Sequence, residues 1–171
     1  TINKIAAGEV VDRPASVVKE LVENALDAGA DAISITVEQG GKSLIRVSDN
    51  GNGMGKEDLA CCIQAHATSK IETIADLPRI ITYGFRGEAL ASIASVSDFT
   101  IISKVKESNQ GYALTLNAPH ENENTAPLII PSAANNGTTI MCKNLFYNIP
   151  ARQKFLKSDA VEFSHILDTF I

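Results

Sequence analysis

The stretch from Pro14 to Gly29 constrains this 171-residue chain more than any other. Val17, Val18, Leu21, Val22, Ala25 and Leu26 recur at helical spacing and cover one side of a helix, which fixes the residues of the other side by geometry. That other side carries Glu20, Glu23, Asn24 and Asp27. Pro14 suits the first helical position and Gly29 the residue just past the end, so the helix is bracketed. Three carboxylates and an amide on one face, with Lys19 the only nearby cation, repel by roughly a few tenths of a kcal/mol per like pair. Water or a bound cation offsets such repulsion, and the helix alone leaves both readings open.

The length predicts one domain, residues 1–171, with a sizeable core. Trp is absent and aromatics make up 5%, so that core is aliphatic. A formal net charge of -5 argues against a domain that wraps nucleic acid, since phosphate binding needs dense Lys and Arg, although a local basic patch is compatible with it. Cys61, Cys62 and Cys142 supply neither a disulfide framework nor a zinc spacing, which points to a reducing compartment. No apolar run approaches the roughly 18 residues of a membrane span, and no signal segment opens the chain, so no membrane role and an intracellular or trimmed chain are expected. Thr1 without a preceding Met, and Ile171 inside the apolar run Phe163, Ile166, Leu167, Phe170, read as cuts in a longer protein.

Taken in order, Thr1 to Val11 predicts a short helix and a turn. Ile33, Ile35 and Val37 alternate with polar residues, and a second alternating run follows Gln39-Gly40-Gly41-Lys42, which predicts a hairpin. Asp49-Asn50-Gly51-Asn52-Gly53-Met54-Gly55 closes the second strand with a tight turn. Lys56 to Ala67 reads as a helix with Leu59, Cys62 and Ile63 inward. From Thr68 to Gly87 the periodicity fades, and a loop of this length inside a compact domain is usually a functional lid. Glu88 to Val96 reads as a helix, Phe99 to Val105 and Tyr112 to Leu116 as strands, and Ala118 to Asn136 as surface loop with a short strand at Leu128 to Ile130. Gly137 to Cys142 is a strand, and the chain is read as helical from Ala151 to its end.

Four stretches carry chemistry. Glu20 and Asn24 stand one helical turn apart, a carboxylate able to orient water and an amide oxygen of the kind Mg²⁺ accepts. Asp49 with Gly51 and Gly53 places an acceptor at a strand end where an exocyclic amine could donate, with room for a flat base; alone, the pattern also fits an ordinary turn. Gly84-Phe85-Arg86-Gly87-Glu88 precedes a helix whose free N–H groups suit phosphates, with Arg86 and Lys70 adding charge; alone, it also fits a capping loop. Gly137-Thr138 supplies a hydroxyl at a strand start. Cys61 and Cys62 read as packing residues, His66 as a satisfied or solvated histidine, and Arg152, Lys154 and Lys157 as a solvated cationic face or a DNA contact.

Jointly, the four resemble the nucleotide-binding domain shared by DNA gyrase, the ninety-kilodalton heat-shock chaperones, sensor histidine kinases and the MutL mismatch-repair proteins. The runs Ile5 to Val11, Val18 to Asn24, Ala67 to Ile71, Gly84 to Leu90 and Leu145 to Asn148 narrow the resemblance to the MutL family over nearly the whole chain; Gly84-Phe85-Arg86-Gly87-Glu88-Ala89-Leu90 is the most specific, and Ala118 to Asn136 the least recognisable part. The resemblance implies an α+β fold: a two-layer α/β sandwich with a mixed, mostly antiparallel sheet and helices on one face. It implies binding of ATP and Mg²⁺, with Glu20 as the catalytic base, Asn24 as the metal ligand, and Asp49, Gly51, Gly53 and Thr138 around adenine. Thr68 to Gly87 would be the ATP lid, with Thr68, Lys70 and Gly84 to Leu90 (Gly84, Phe85, Arg86, Gly87, Glu88, Ala89, Leu90) around the phosphates, and residues 151–171 would begin the connection to a second domain that carries a further lysine.

Implied partners are a second copy of the chain on ATP binding, forming a homodimer through the N-terminal regions, a mismatch-recognition protein, a downstream nuclease or helicase, and DNA through Arg152, Lys154 and Lys157. The implied location is the bacterial cytoplasm at the nucleoid, or the nucleus of a eukaryote. An alternative is a nucleotide-gated interaction or clamp module without efficient hydrolysis. A histidine-kinase domain is disfavoured by Thr68-Ser69-Lys70 and the run from Gly84 to Leu90.

Overall fold

Alternating apolar residues need a second layer to cover them, and helices with a single apolar stripe provide it. The computed structural model describes residues 11–63, 88–116 and 127–171. Helix α1 spans Pro14–Asp27 and buries Pro14, Ala15, Val17, Val18, Leu21 and Ala25. Ala28 closes it, and Gly29 follows at φ 72°, the left-handed conformation expected just past a helix end. Leu26 departs from the predicted stripe and is 59% exposed, because it lies about 100° around the helix from Ala25.

Strands β1 (Ile33–Glu38) and β2 (Leu44–Asp49) form the predicted hairpin, paired from Ile33 with Asp49 to Glu38 with Leu44, with a 3-10 turn at Gln39–Gly41 between them. Helices α2 (Lys56–Cys62) and α3 (Ala89–Ser95) follow, then strands β3 (Asp98–Lys104), β4 (Gly111–Leu116), β5 (Ile129–Ser132) and β6 (Gly137–Lys143). The strand order is β1-β2-β6-β3-β4-β5. The fold is the α+β sandwich expected, but every pairing among the described strands is antiparallel rather than mixed. The last strand, β6, inserts between β2 and β3 and runs antiparallel to both. Pro131 has no N–H to donate and is accommodated because β5 is an edge strand.

The inward positions Ile45 and Val47 of β2, Ile140 and Cys142 of β6, and Phe99 and Ile101 of β3 meet Val17, Val18 and Leu21 of α1, together with Leu59 and Ile93 from the short helices. This aliphatic core seats α1 across the central strands.

The C-terminal region differs from the continuous helix expected from Ala151. It forms α4 (Pro150–Phe155) and α5 (Asp159–Asp168), separated at Leu156, whose φ of -62° and ψ of 138° are extended. Buried Glu162 explains the break: its Oε1 accepts the N–H of Lys157 at 2.8 Å, while its own N–H donates to Ser158 O at 3.0 Å, so the carboxylate caps the start of α5. Lys42 fastens this corner to the hairpin, donating to Lys157 O at 3.0 Å and pairing with Asp159 at 2.6 Å.

The predicted helix and turn before Val11, the lid from Thr68 to Gly87 with His66 before it, and the loop from Ala118 as far as residue 126 lie outside the described residues. Among the described residues no helix is long and apolar enough to cross a membrane.

Candidate functional site

Three adjacent strands end at one place. The register of β2 with β6 pairs Ser48 with Thr139, which brings Asp49, the last residue of β2, to the level of Thr138; β6 with β3 pairs Thr138 with Ser103. Asp49 Oδ1 accepts the N–H of Gly51 at 2.8 Å, and its carboxylate also accepts the backbone N–H of Thr138. Burial pushes the Asp49 pKa above the ordinary carboxylate value, and these two N–H donors pull it partly back. An ionised carboxylate has about four acceptor positions, so Asp49 retains capacity for a further donor.

The glycines of this turn serve the chain itself. A Cβ on Gly51 would lie 2.8 Å from Ala28 O and 2.9 Å from Ala28 Cβ; one on Gly53, at φ 72°, would lie 2.1 Å from Lys104 O. Both glycines let the turn close against the end of α1 and the end of β3. Gly137 does the same from the other side, since its Cβ would fall 2.1 Å from Asp49 O.

Helix α1 enters the site along a single ridge. Glu20, Asn24 and Ala28 are spaced four apart and lie on one flank of the helix, beside its buried stripe. At Ala28 that flank meets the Asp49 turn, where Ala28 O accepts the N–H of Asn52 at 2.9 Å. Glu20 stands two turns back, about 12 Å along the axis, with Asn24 midway. Both are half-buried. The carboxamide of Asn24 has no hydrogen-bond partner among the described residues. No cluster of three or more His, Cys, Asp or Glu able to hold a metal exists among them either, so a cation here would take Asn24 together with water and ligand oxygens, the environment Mg²⁺ prefers.

Two residues of this site went unrecognised in the sequence. Asn50 Oδ1 accepts the N–H groups of Asp31 and Ala32, each at 3.0 Å, and Nδ2 donates to Asp31 Oδ1, tying the turn to the segment that follows α1. Ser103, fully buried, accepts from Met54 N at 2.8 Å, donates to Gly137 O at 3.0 Å and lies 2.8 Å from Thr138 Oγ1. The signal for Ser103 was present: in β3 it follows Phe99 and Ile101 at every second position, so it faces inward, and an inward hydroxyl requires partners.

The structure thus brings together Asp49, Gly51, Gly53 and Thr138, with Asn24 and Glu20 on the adjoining ridge. Ala89 and Leu90 open α3 and Glu88 precedes it; the Ala89 side chain is buried, leaving backbone N–H groups as its available chemistry there. Thr68, Lys70, Gly84, Phe85, Arg86 and Gly87 lie outside the described residues.

Arg152, predicted as a solvated or DNA-facing cation, is reassigned: its Nη1 donates to Val11 O at 2.9 Å and its guanidinium lies 5.8 Å from the Phe146 ring centroid. Lys154 and Lys157 are exposed. The run Leu145 to Asn148 is structural in the same way, with Leu145 and Phe146 buried and Asn148 Nδ2 donating to Ser95 O at the end of α3. Cys61 is exposed rather than packed; Cys62 is half-buried and Cys142 buried, and burial pushes both of their thiols up to about 12.

A family profile described as histidine kinase-, DNA gyrase B- and HSP90-like ATPase matches residues 12–144. The DNA mismatch repair protein MutL of Dichelobacter nodosus is 55% identical over 165 residues, covering 96% of this chain and 27% of that protein. MutL of Serratia proteamaculans is 54% identical over 164 residues, covering 96% and 26%. Among solved structures, the Aquifex aeolicus MutL ATPase domain complexed with ADP aligns with a TM-score of 0.69 at 31% identity, covering 94% of this chain and 54% of that one. The chain spans about a quarter of the length of these curated relatives.

Proposed function

Because this chain belongs to the histidine kinase-, DNA gyrase B- and HSP90-like ATPase family and is an ATPase domain of the MutL type, we propose that its site binds ATP along α1 and positions water for hydrolysis at Glu20. Asp49 accepts from the exocyclic amine of adenine, with Thr138 beside it. Asn24 Oδ1 would hold Mg²⁺, which when bound offsets the charge of the phosphate oxygens. Glu20 orients the attacking water and takes its proton. The backbone of Gly84 to Leu90, with Thr68, Arg86 and Lys70, holds the phosphates. In phosphoryl transfer most of the protein's contribution is positioning and charge stabilisation, and this set supplies both.

The observation supporting this reading is the ridge itself. Glu20 and Ala28 stand at its two ends, about two helical turns apart, and Ala28 touches the turn that follows Asp49; that span is on the scale of an extended nucleoside triphosphate with the base at one end and the terminal phosphate at the other.

In the longer protein, ATP binding would order the lid, join N-terminal regions of two copies and signal to a mismatch-recognition protein and to a nuclease or helicase. Lys154 and Lys157 are the exposed cations left for DNA, and the bacterial cytoplasm at the nucleoid is the compartment that suits this role.

The test is Glu20→Ala in the full-length protein, with hydrolysis and equilibrium binding of ATP measured separately. Turnover falls to background while binding persists. Undiminished turnover removes Glu20 from its role, and a wild-type protein that binds without turnover replaces the ATPase with a nucleotide-gated clamp.

A further inference from the structure

We propose that Arg152 is a positioning residue for Glu20: it pins the start of α1 and so holds the Glu20 carboxylate where it orients the attacking water, independently of the base end of the site. The proposal rests on the reading of Glu20 as the group that takes the proton of that water.

Beyond its core contacts, α1 is fastened near both ends. At the C-terminal end Ala28 O accepts the N–H of Asn52 at 2.9 Å, and a Cβ on Gly51 would lie 2.8 Å from the same oxygen. At the other end Val11 is fully buried, two residues before the N-cap Arg13. A buried carbonyl needs a donor, and Arg152 Nη1 supplies one to Val11 O at 2.9 Å. The donor is held in turn. Its guanidinium lies 5.8 Å from the Phe146 ring centroid, within cation–π range. Phe146 is fully buried, stands at φ 62° and donates its N–H to Val96 O at 2.7 Å, just past the end of α3. A bulky residue keeps a left-handed backbone only where its surroundings fix it. Asn148 Nδ2 adds a bond to Ser95 O at 2.8 Å. Arg152 therefore ties the start of α1 to a segment anchored on α3, the helix whose first residues close the run proposed to hold the phosphates.

The two fastenings make α1 a lever. Glu20 lies nearly midway between Val11 and Ala28 in the sequence. If the start is released, the helix pivots about Ala28, and Glu20 moves by about half the displacement at Val11 while the turn at Asp49 stays in place. Reaction geometry is far less tolerant than binding: a misplacement of about 1 Å can cost about 10²-fold in rate. A shift of about half that at Glu20 is expected to cost about tenfold in hydrolysis and to leave affinity nearly intact.

The test uses the full-length protein carrying Arg152→Met, which keeps an apolar stem over Phe146 and loses the donor. Single-turnover hydrolysis of bound ATP and equilibrium binding of ADP are measured, and the rate is expressed per ADP-binding site, so that unfolded protein is not counted. The rate per site is expected to fall about tenfold, with ADP affinity within about 2-fold of wild type. A merely structural arginine would lower the number of sites or weaken ADP and leave the rate per site unchanged, so a wild-type rate per site overturns the proposal. A loss of ADP affinity as large as the loss of rate overturns it as well, because the whole site would then have loosened. Arg152→Gln, whose side chain is too short to reach Val11 O, decides by the same criteria if the methionine variant fails to fold. Glu20→Ala separates the two claims: undiminished turnover there refutes the catalytic reading itself, whereas its loss beside an unimpaired Arg152→Met refutes only the present proposal.

Discussion

Replacing Gly137 by Ala places a methyl group in the narrowest part of the site, and Gly29 supplies the control. Both glycines have positive φ, 103° and 72°, but a Cβ on Gly29 meets nothing within 4 Å, whereas one on Gly137 would lie 2.1 Å from Asp49 O and 2.8 Å from Asn50 Cα. The left-handed backbone costs an alanine about 1–2 kcal/mol. Restricting the unfolded chain returns about 0.4–1 kcal/mol. Gly29→Ala should therefore destabilise by roughly 0.5–1 kcal/mol. Gly137→Ala carries the same term and must also move β6 away from the end of β2 by about 1 Å, a strain of the size of overpacking, about 1–3 kcal/mol. That movement stretches the Thr138 N–H to Asp49 contact, a hydrogen bond to a charged group worth about 1.5–3 kcal/mol. The total is roughly 3–7 kcal/mol, a large part of the roughly 5–15 kcal/mol that holds a domain together. Because the chain has no Trp, urea unfolding is followed by far-ultraviolet circular dichroism. Equal destabilisation by the two substitutions would refute the close-approach reasoning, since φ would then account for both.

Burial raises the Asp49 pKa, so its contribution to stability favours the folded state at low pH and is lost as pH rises through that raised value. Accepting from an amine requires the ionised form, so nucleotide affinity should fall on acidification at a higher pH than an ordinary carboxylate would give. Asp49→Asn should remove this step and weaken binding by about tenfold; its profile cancels the titration of the phosphates, and parallel profiles for wild type and variant would contradict the assignment. Among the cysteines, iodoacetamide at neutral pH should alkylate Cys61 in the native state and spare Cys62 and Cys142, whose thiols are pushed up to about 12. Peptide mass mapping reads this, and native labelling of Cys142 would mean that the core opens on the labelling timescale.

What the sequence could and could not disclose follows from the range of each interaction. The bracket of Pro14 and Gly29, the hairpin of β1 and β2 and the inward faces of the strands are local or periodic, and the structure reproduces them. Asp49 and Thr138 were legible as separate residues, but their meeting depends on β6 inserting between β2 and β3, a pairing across most of the chain that no local pattern encodes. The same non-local step hid Ser103, whose partners Met54, Gly137 and Thr138 come from two distant segments, and it ties half-buried Arg152 to Val11 O. Gly51 and Gly53 mark in the sequence where a backbone comes close, and the fold shows that the ends of α1 and β3 are among what it meets. The broken C-terminal helix is the opposite case. Ser158 and Asp159 are a local start signal and the cap from Glu162 reaches back only to Lys157, so the boundary is encoded locally even though the helical reading from Ala151 runs through it. Sequence patterns thus nominate residues, and antiparallel register decides which nominees become neighbours. For that reason the acidic ridge of α1 gains its meaning at Ala28, where it touches Gly51 and Asn52 of a loop that lies well beyond it along the chain yet belongs to the same site.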